Sequence, residues 1–162
     1  MSSTTDTPTD QDYFIESYGD LIFELSISLL RDVAQAQSAS RSILKRIGYK
    51  NRFQKYTTYE QGWVLKATCD RLLKLYDQST SIKAAKQQTQ LDTSLKNADP
   101  ITHFQLHFNR LPPDDQLLLL LKDKLQISYS DISMALDIPQ GSLKVKRQQA
   151  IKTLEEWIWT TE

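Results

Sequence analysis

Apolar residues recur at three- and four-residue steps along most of the chain, which is the spacing of helices that bury one face. Over residues 12–34 these positions are Ile15, Leu21, Ile22, Leu25, Leu29 and Val33. A second helix is predicted over 36–47, ended by Gly48, with inward positions Ala39, Ile43 and Ile47. A third is predicted over 59–77, with an apolar face of Trp63, Ala67, Leu72 and Leu75 or Tyr76. None could bury its face alone, so we expect the three to pack together.

This pattern fades from Ser79 to Pro100, where polar residues predominate. We interpret the segment as a linker between two small helical domains, 12–78 and 101–162, preceded by a disordered acidic tail over 1–11. The alternative is that 79–100 is a solvated extra helix. Beyond it, a short helix is predicted over 101–109 with Phe104 and Phe108 inward. The next helix starts at Pro113 or Asp114 and carries Leu117, Leu118, Leu120 and Leu121.

The last third of the chain predicts two helices joined by a tight turn. Ser128 and Asp131 have the spacing of a helix N-cap in which the acid also reaches back to the cap residue. A helix of about two turns follows, with inward positions Ile132, Ala135 and Leu136. Pro139 interrupts it. A long helix is then predicted over 140–159, with Leu143, Ala150, Leu154 and Trp157 on one stripe.

The other side of that long helix is polar and basic, which is typical of the second helix of a helix-turn-helix in a DNA major groove. No carboxylate occurs between Asp137 and Glu155, and Lys and Gln side chains are suited to phosphates and base edges. An amphipathic solvated helix with an accidental basic face is the plainer alternative. The predicted DNA-binding residues are Ser142, Lys144, Val145, Lys146, Arg147, Gln148, Gln149 and Lys152.

Composition supports an all-α chain, because its 162 residues include only four Gly and five Pro. The formal net charge is zero, but acids collect before Arg31 and bases collect in the carboxylate-free stretch from Val33 to Tyr59. Cys69 is the single cysteine, which favours a reducing compartment. No apolar run approaches the roughly 20 residues that span a bilayer, and the polar start resembles no targeting signal. We therefore expect a cytoplasmic protein that does not bind membranes.

Enzymatic readings find little support in the sequence. His103 and His107 are four residues apart, which suits two metal ligands on one helix, but no third ligand is evident. There is no phosphate-binding loop, nucleophile elbow or dinucleotide-binding glycine set. We expect a protein that is not an enzyme and has no cofactor and no metal.

Three segments resemble region 4 of the extracytoplasmic-function sigma factors: 110–116 (RLPPDDQ), 125–133 (LQISYSDIS) and 137–147 (DIPQGSLKVKR). The resemblance covers roughly 111–154. It implies a nucleoid-associated bacterial protein that reads a −35-type promoter element and touches the β flap of RNA polymerase. Ser142, Lys144, Lys146 and Gln149 occupy DNA-facing sites of the family motif. Gln149 stands where the family usually has Arg, and Arg147 stands where it has an apolar residue, so we expect Arg147 to extend outward toward a phosphate.

The N-terminal half is similar to sigma region 2 only in outline, at residues 18–34 and at 63–67 (WVLKA). In the family, an acidic stretch of region 2 meets the β′ coiled coil of RNA polymerase. The matching positions of this chain, around Arg41, carry no carboxylate, and Asp70 stands where the family has Asn. Candidate polymerase contacts are Arg41, Leu44 and Lys45. Candidate contacts to single-stranded promoter DNA, if these rings do not simply fill the junction between helices, are Arg52, Phe53, Lys55, Tyr56, Tyr59 and Trp63.

Three hypotheses follow from these patterns. The first is an alternative sigma factor that binds core RNA polymerase and double-stranded promoter DNA, with an anti-sigma factor as a further partner. The second is a sigma-derived regulator that reads DNA through 142–152 without opening it. The third is a protein-interaction module that has kept the fold and lost DNA binding.

Overall fold

A computed structural model describes residues 10–50, 59–94 and 99–161, with side chains over 12–48, 59–78 and 99–160. Within these ranges the helices are α1 (Asp10–Leu30), α2 (Val33–Lys50), α3 (Glu60–Ser94), α4 (Pro100–Phe108), α5 (Pro113–Leu119), α6 (Tyr129–Leu136) and α7 (Gln140–Thr161). A π-helical turn, Leu120–Lys124, continues α5. The described ranges contain no strand, so the all-α prediction is confirmed. None of their helices is long and apolar enough to cross a membrane.

The first helix ends four residues earlier than its apolar pattern predicts. Arg31 adopts a left-handed backbone with φ of 55°, which a helix cannot continue through. Asp32 then caps the next helix, because its Oδ1 accepts a hydrogen bond of 2.8 Å from the Gln35 amide. The short-range cap therefore outweighs the hydrophobic spacing, and α2 begins at Val33 rather than at residue 36.

The buried stripes differ in part from those predicted. On α2, Ala39, Ile43 and Ile47 are buried as expected. On α1, Ile15 is exposed, and so is Val33 after it, while the inward positions are Phe14, Tyr18, Ile22, Leu25, Leu29 and Leu30. On α3 the stripe is rotated by one residue, to Val64, Leu65, Thr68, Cys69 and Leu72. A one-residue change turns the face by about 100°, so Trp63 and Ala67 are only partly buried.

The segment predicted as a linker is helical over most of its length. The structure continues α3 without a break to Ser94. Residues 79–94 are therefore helical, as in the alternative to the linker prediction. The reason is compositional: residues 79–94 contain no Pro and no Gly, and Lys, Ala and Gln are good helix formers.

Both halves of the chain contribute to one cluster of buried side chains, which runs from Phe14 to Leu154. Helix α3 packs on α6, and both α1 and α3 contact α5. At the rim, the Lys124 Nζ lies 3.0 Å from the Glu24 Oε1. In this structure the two predicted domains share a core, and their independence stays a prediction.

The C-terminal half begins with a capped helix and a tight turn. Asp99 caps α4 by accepting a hydrogen bond of 2.7 Å from the Thr102 amide. Gln116 is fully buried, and its Nε2 donates to the carbonyl oxygens of Asn109 at 3.2 Å and Leu111 at 2.8 Å, which ties α5 to the end of α4. The predicted inward positions Leu117, Leu118, Leu120 and Leu121 are all buried. Phe108 is buried too, but Phe104 is 45% exposed, contrary to prediction.

Candidate nucleic-acid interface

The turn between α6 and α7 is built by local hydrogen bonds. Ser128 caps α6, because its Oγ accepts a hydrogen bond of 3.2 Å from the Asp131 amide, so the predicted N-cap is confirmed. Asp137 ends α6 in a left-handed conformation (φ 56°, ψ 46°), and its N–H donates to the Ser133 carbonyl. The Ser133 Oγ donates to the Ile138 carbonyl oxygen at 2.7 Å. Hydrogen bonds among Ser133, Asp137 and Ile138 therefore fix the direction in which α7 leaves α6.

The acid of the cap has a different partner from the one predicted. Instead of reaching back to Ser128, the Asp131 Oδ2 accepts a hydrogen bond of 2.9 Å from the Gln61 Nε2. This bond links α6 to the first turn of α3. The N-terminal half thus helps to hold the helix from which α7 starts, a long-range contact that local sequence spacing cannot reveal.

Helix α7 separates a buried stripe from an exposed polar face. Leu143, Ala150 and Leu154 are buried at 5% exposure or less. The predicted DNA-binding residues that the structure leaves exposed are Ser142, Lys144, Val145, Gln148, Gln149 and Lys152. Val145 at 54% exposure is an apolar side chain open to solvent within this face. The six residues, which we call the α7 face, offer two cations, two amides, a hydroxyl and a methyl surface, and no carboxylate.

Lys146 is not on this face, although its position in the sequence predicted that it would be. Its Nζ lies 2.8 Å from the Asp114 Oδ2 and 2.7 Å from the Asp115 Oδ1 on the first turn of α5. Burial lowers the pKa of Lys146, but hydrogen bonds and charge attraction from the two carboxylates outweigh it, so the net pKa is raised. Lys146 is therefore a charged tie between α7 and α5.

Arg147 also turns toward the protein, which corrects the expectation that it extends outward. Its guanidinium makes a bidentate pair with Asp123 of the π-helical turn, with Nε 2.9 Å from Oδ2 and Nη2 2.5 Å from Oδ1. The hydrogen bond to Asp123 raises the pKa of Arg147 further. A bidentate pair fixes the direction of the guanidinium. Lys146 and Arg147 thus form two ionic ties, one on each side of the buried stripe of α7. Contact of either residue with DNA stays a prediction.

Sequence reasoning missed the partners of these ties. The sequence places Asp114 and Asp115 at a predicted helix start and gives no sign that these residues, or Asp123, meet α7. Their positions relative to α7 depend on how α5 packs, which the local pattern does not contain.

A second basic group adjoins the α7 face near the start of α6. The Lys122 Nζ lies 4.4 Å from the centre of the Tyr129 ring, and the Lys144 Nζ lies 5.7 Å from it. Both distances are within the range of attraction between a cation and an aromatic ring. Lys144 is thus positioned beside the turn, and no carboxylate of the described residues pairs with it.

The candidates for single-strand binding are only partly described. Arg52, Phe53, Lys55 and Tyr56 lie outside the described residues. Tyr59, just before α3, is 64% exposed. Trp63 is partly buried and lines a pocket between α2 and α3. Tyr59 and Trp63 are thus the two of the six candidates that the structure describes, and a single-strand site formed by all six stays a prediction.

The candidate polymerase contacts lie on α2. Arg41 and Lys45 are exposed, and Leu44 is partly buried against the core. An apolar groove of about 520 Å³ lies elsewhere, at the C-terminal end of α7. Its apolar walls come from Phe104, Phe108, Leu119, Leu120, Ile151, Leu154 and Ile158.

The histidine pair of α4 is part of the packing between α4 and α7. His107 is fully buried, its ring centre lies 4.7 Å from that of His103, and its Nδ1 lies 3.1 Å from the Arg110 Nη1, which must be the donor. The Arg110 guanidinium in turn stacks 4.2 Å from the centre of the Trp157 ring. Across the described part of the chain, no group of three or more His, Cys, Asp or Glu side chains could hold a metal ion.

Stability should depend on the protonation of His107. Burial, and then the charges of His103 and Arg110, lower its pKa below the ordinary 6.5. The unfolded chain therefore binds this proton at a higher pH than the folded protein does, and the free energy of unfolding should decrease as pH falls below 6.5. In urea titrations from pH 7.5 to 5, His107→Gln should show a shallower decrease than the parent. His103→Gln removes one of the two charges and should lessen the decrease only in part. An identical pH dependence for parent and His107→Gln would contradict this role.

Comparisons with known proteins do not assign this chain to a family. A scan against protein-family models finds no match, and a search against curated proteins finds no significant match.

Proposed function

We propose that the chain is a sigma-factor-like transcription initiation protein that binds promoter DNA through α7 in the bacterial cytoplasm. The observation that carries this proposal is the α7 face: a solvent-exposed, carboxylate-free surface on the second helix of a helix-turn-helix, whose reverse side is buried. The resemblance of residues 111–154 to sigma region 4 supports the same assignment.

The side chains of the α7 face would have different roles in binding DNA. Lys144 and Lys152 would neutralise phosphates, which gives affinity that does not depend on sequence. Gln148 and Gln149 would read base edges, since a glutamine amide can pair with adenine through two hydrogen bonds. Val145 would contact a thymine methyl group. The ties at Lys146 and Arg147 would hold α7 in the orientation that this contact needs.

Core RNA polymerase is the second partner in this proposal. The exposed side of α2, with Arg41 and Lys45, would face the polymerase, and the apolar groove beside α7 would receive the β flap. The groove supports this because Phe104 is exposed and Ile151 and Ile158 are only partly buried, so a partner would remove their apolar surface from water. An anti-sigma protein would compete for the same surfaces.

A second candidate function is a regulator that reads DNA without opening it. The specific observation in its favour is Arg41, which is exposed on α2 where the sigma pattern carries acids. A cation there would weaken contact with a basic coiled coil. Gel filtration with core polymerase separates the two functions: co-elution and a transcript support the first, and capture of duplex DNA without polymerase supports the second.

The α7 face makes a prediction that two substitutions can test. Gln149→Ala should change the preference at one base pair by about 1–3 kcal/mol, because it removes a contact with a base edge. Lys144→Ala should weaken binding to all duplexes alike and reduce the salt slope by about one unit, because it removes a phosphate contact. Both are measured by fluorescence anisotropy with duplexes selected from a random library, over a series of salt concentrations that starts at low ionic strength.

Lys124→Ala is the matched control, because Lys124 is an exposed lysine outside the α7 face. It should leave both the base preference and the salt slope unchanged. The proposal fails if Gln149→Ala and Lys144→Ala bind every duplex as the parent does, or if the parent binds none.

A further inference from the structure

A small pocket lies between α2 and α3, on different helices from the α7 face. Its volume is about 300 Å³, at the lower end of the range for small-molecule sites in proteins. The charged and aromatic side chains that line it are Arg46, Trp63, Lys66, Asp70, Arg71 and Lys74. Nothing in the proposed binding of duplex DNA by α7 uses this pocket.

The charge of the pocket favours an anion. Cations outnumber carboxylates in its lining by four to one. The single carboxylate, Asp70, lies 3.4 Å from the Lys66 Nζ, so one of the four cations already balances it. Arg46, Arg71 and Lys74 remain to attract a negatively charged ligand.

Arg71 provides the most specific evidence for a ligand. Its Nε is buried and has no hydrogen-bond partner among the residues that the structure describes. Arg71 also borders a second hollow between the same helices, lined by Gln35, Ser38 and Ser42. A buried guanidinium nitrogen without an acceptor is unfavourable, and a small shift of the Arg71 side chain toward an anionic oxygen in the pocket would relieve this cost.

Trp63 adds an aromatic wall to this cationic pocket. Its indole is only partly buried, because the buried stripe of α3 lies one residue further on, at Val64. A flat ring beside two guanidinium groups is suited to a ligand with both an aromatic base and a phosphate. We propose that the pocket binds a nucleoside phosphate, with the phosphate at Arg71 and the base against Trp63.

The test uses fluorescence of the full-length chain. Trp157→Phe and Trp159→Phe together leave Trp63 as the single indole among the three tryptophans of the sequence. Titration with ATP should quench this fluorescence in a saturable way. In the same background, Arg71→Met should lower the affinity by about tenfold, since it removes a charged hydrogen-bond donor. Arg41→Met, an exposed arginine of α2 outside the pocket, should leave the affinity unchanged.

Four outcomes would overturn the proposal. They are no quenching by millimolar ATP, equal losses for Arg71→Met and Arg41→Met, inorganic phosphate binding as tightly as ATP, and binding of a single-stranded oligonucleotide without binding of ATP. The last would assign the pocket to a nucleic-acid strand. Circular dichroism checks that each variant folds. If Arg71→Met does not fold, Arg46→Ala at an exposed position of α2 carries the same expected loss.

Discussion

Glu60→Ala should lower the free energy of unfolding by roughly 3 kcal/mol, among the largest effects of any single substitution outside the apolar core. Glu60 is buried at the start of α3, and its Oε1 accepts hydrogen bonds from the Tyr13 hydroxyl at 2.6 Å and the Tyr18 hydroxyl at 2.7 Å. Alanine would leave both hydroxyls without that acceptor. Burial and then the hydrogen bond to Glu60 raise the pKa of Tyr18, so the phenol stays protonated and remains a donor.

Urea-induced unfolding measures this loss. Glu60→Gln keeps one acceptor oxygen and should lose less stability than alanine does. Glu16→Ala removes an exposed carboxylate from α1 and should stay within about 0.5 kcal/mol of the parent. If Glu60→Ala unfolded at the same urea concentration as Glu16→Ala, the buried hydrogen bonds would have no measurable role.

Gly62→Leu should destabilise the protein by about 1–3 kcal/mol, because it overfills the contact between α3 and α6. A Cβ at Gly62 would lie 2.5 Å from the Met134 Sδ and 3.2 Å from the Asp131 Oδ1. The methionine can move away from a methyl group, but a leucine requires the two helices to separate. Since α7 starts from α6, the same variant should also weaken the duplex binding that we propose for α7.

Gly141→Leu is the matched control, because a Cβ at Gly141 meets nothing within 4 Å. It exchanges glycine for leucine on a helix without a new contact, so it should be neutral or slightly stabilising. Met134→Ala combined with Gly62→Leu should recover part of the lost stability, which a double-mutant cycle in urea measures. Similar unfolding midpoints for the two glycine variants would mean that α3 and α6 do not pack as described.

The sequence predicts those features that depend on neighbouring residues. The N-cap at Ser128, the interruption before Pro139 and the stripe of Leu143, Ala150 and Leu154 all follow from spacing within one or two turns. The exposed polar face of α7 follows from the same pattern, since residues opposite a buried stripe face solvent.

What the sequence could not predict depends on which elements meet. Lys146 and Arg147 look like any other cations of a DNA-binding helix until α5 and the π-helical turn bring Asp114 and Asp123 to them. The one-residue rotation of the α3 stripe has the same origin. Val64 and Leu65 compete with Trp63 for the core, and the helices that pack against α3 decide the outcome.

The ties that hold α7 have a consequence for how ionic strength acts on this protein. Contacts with phosphates at a duplex surface weaken steeply as the salt concentration rises, because releasing counterions from the duplex then gains less free energy. The pair between Lys146 and Asp115 is partly shielded from solvent, at 26% and 16% exposure, and close shielded charges are screened much less. If α7 binds a duplex as proposed, salt should release the duplex while α7 keeps its orientation, so that rebinding after dilution requires no refolding.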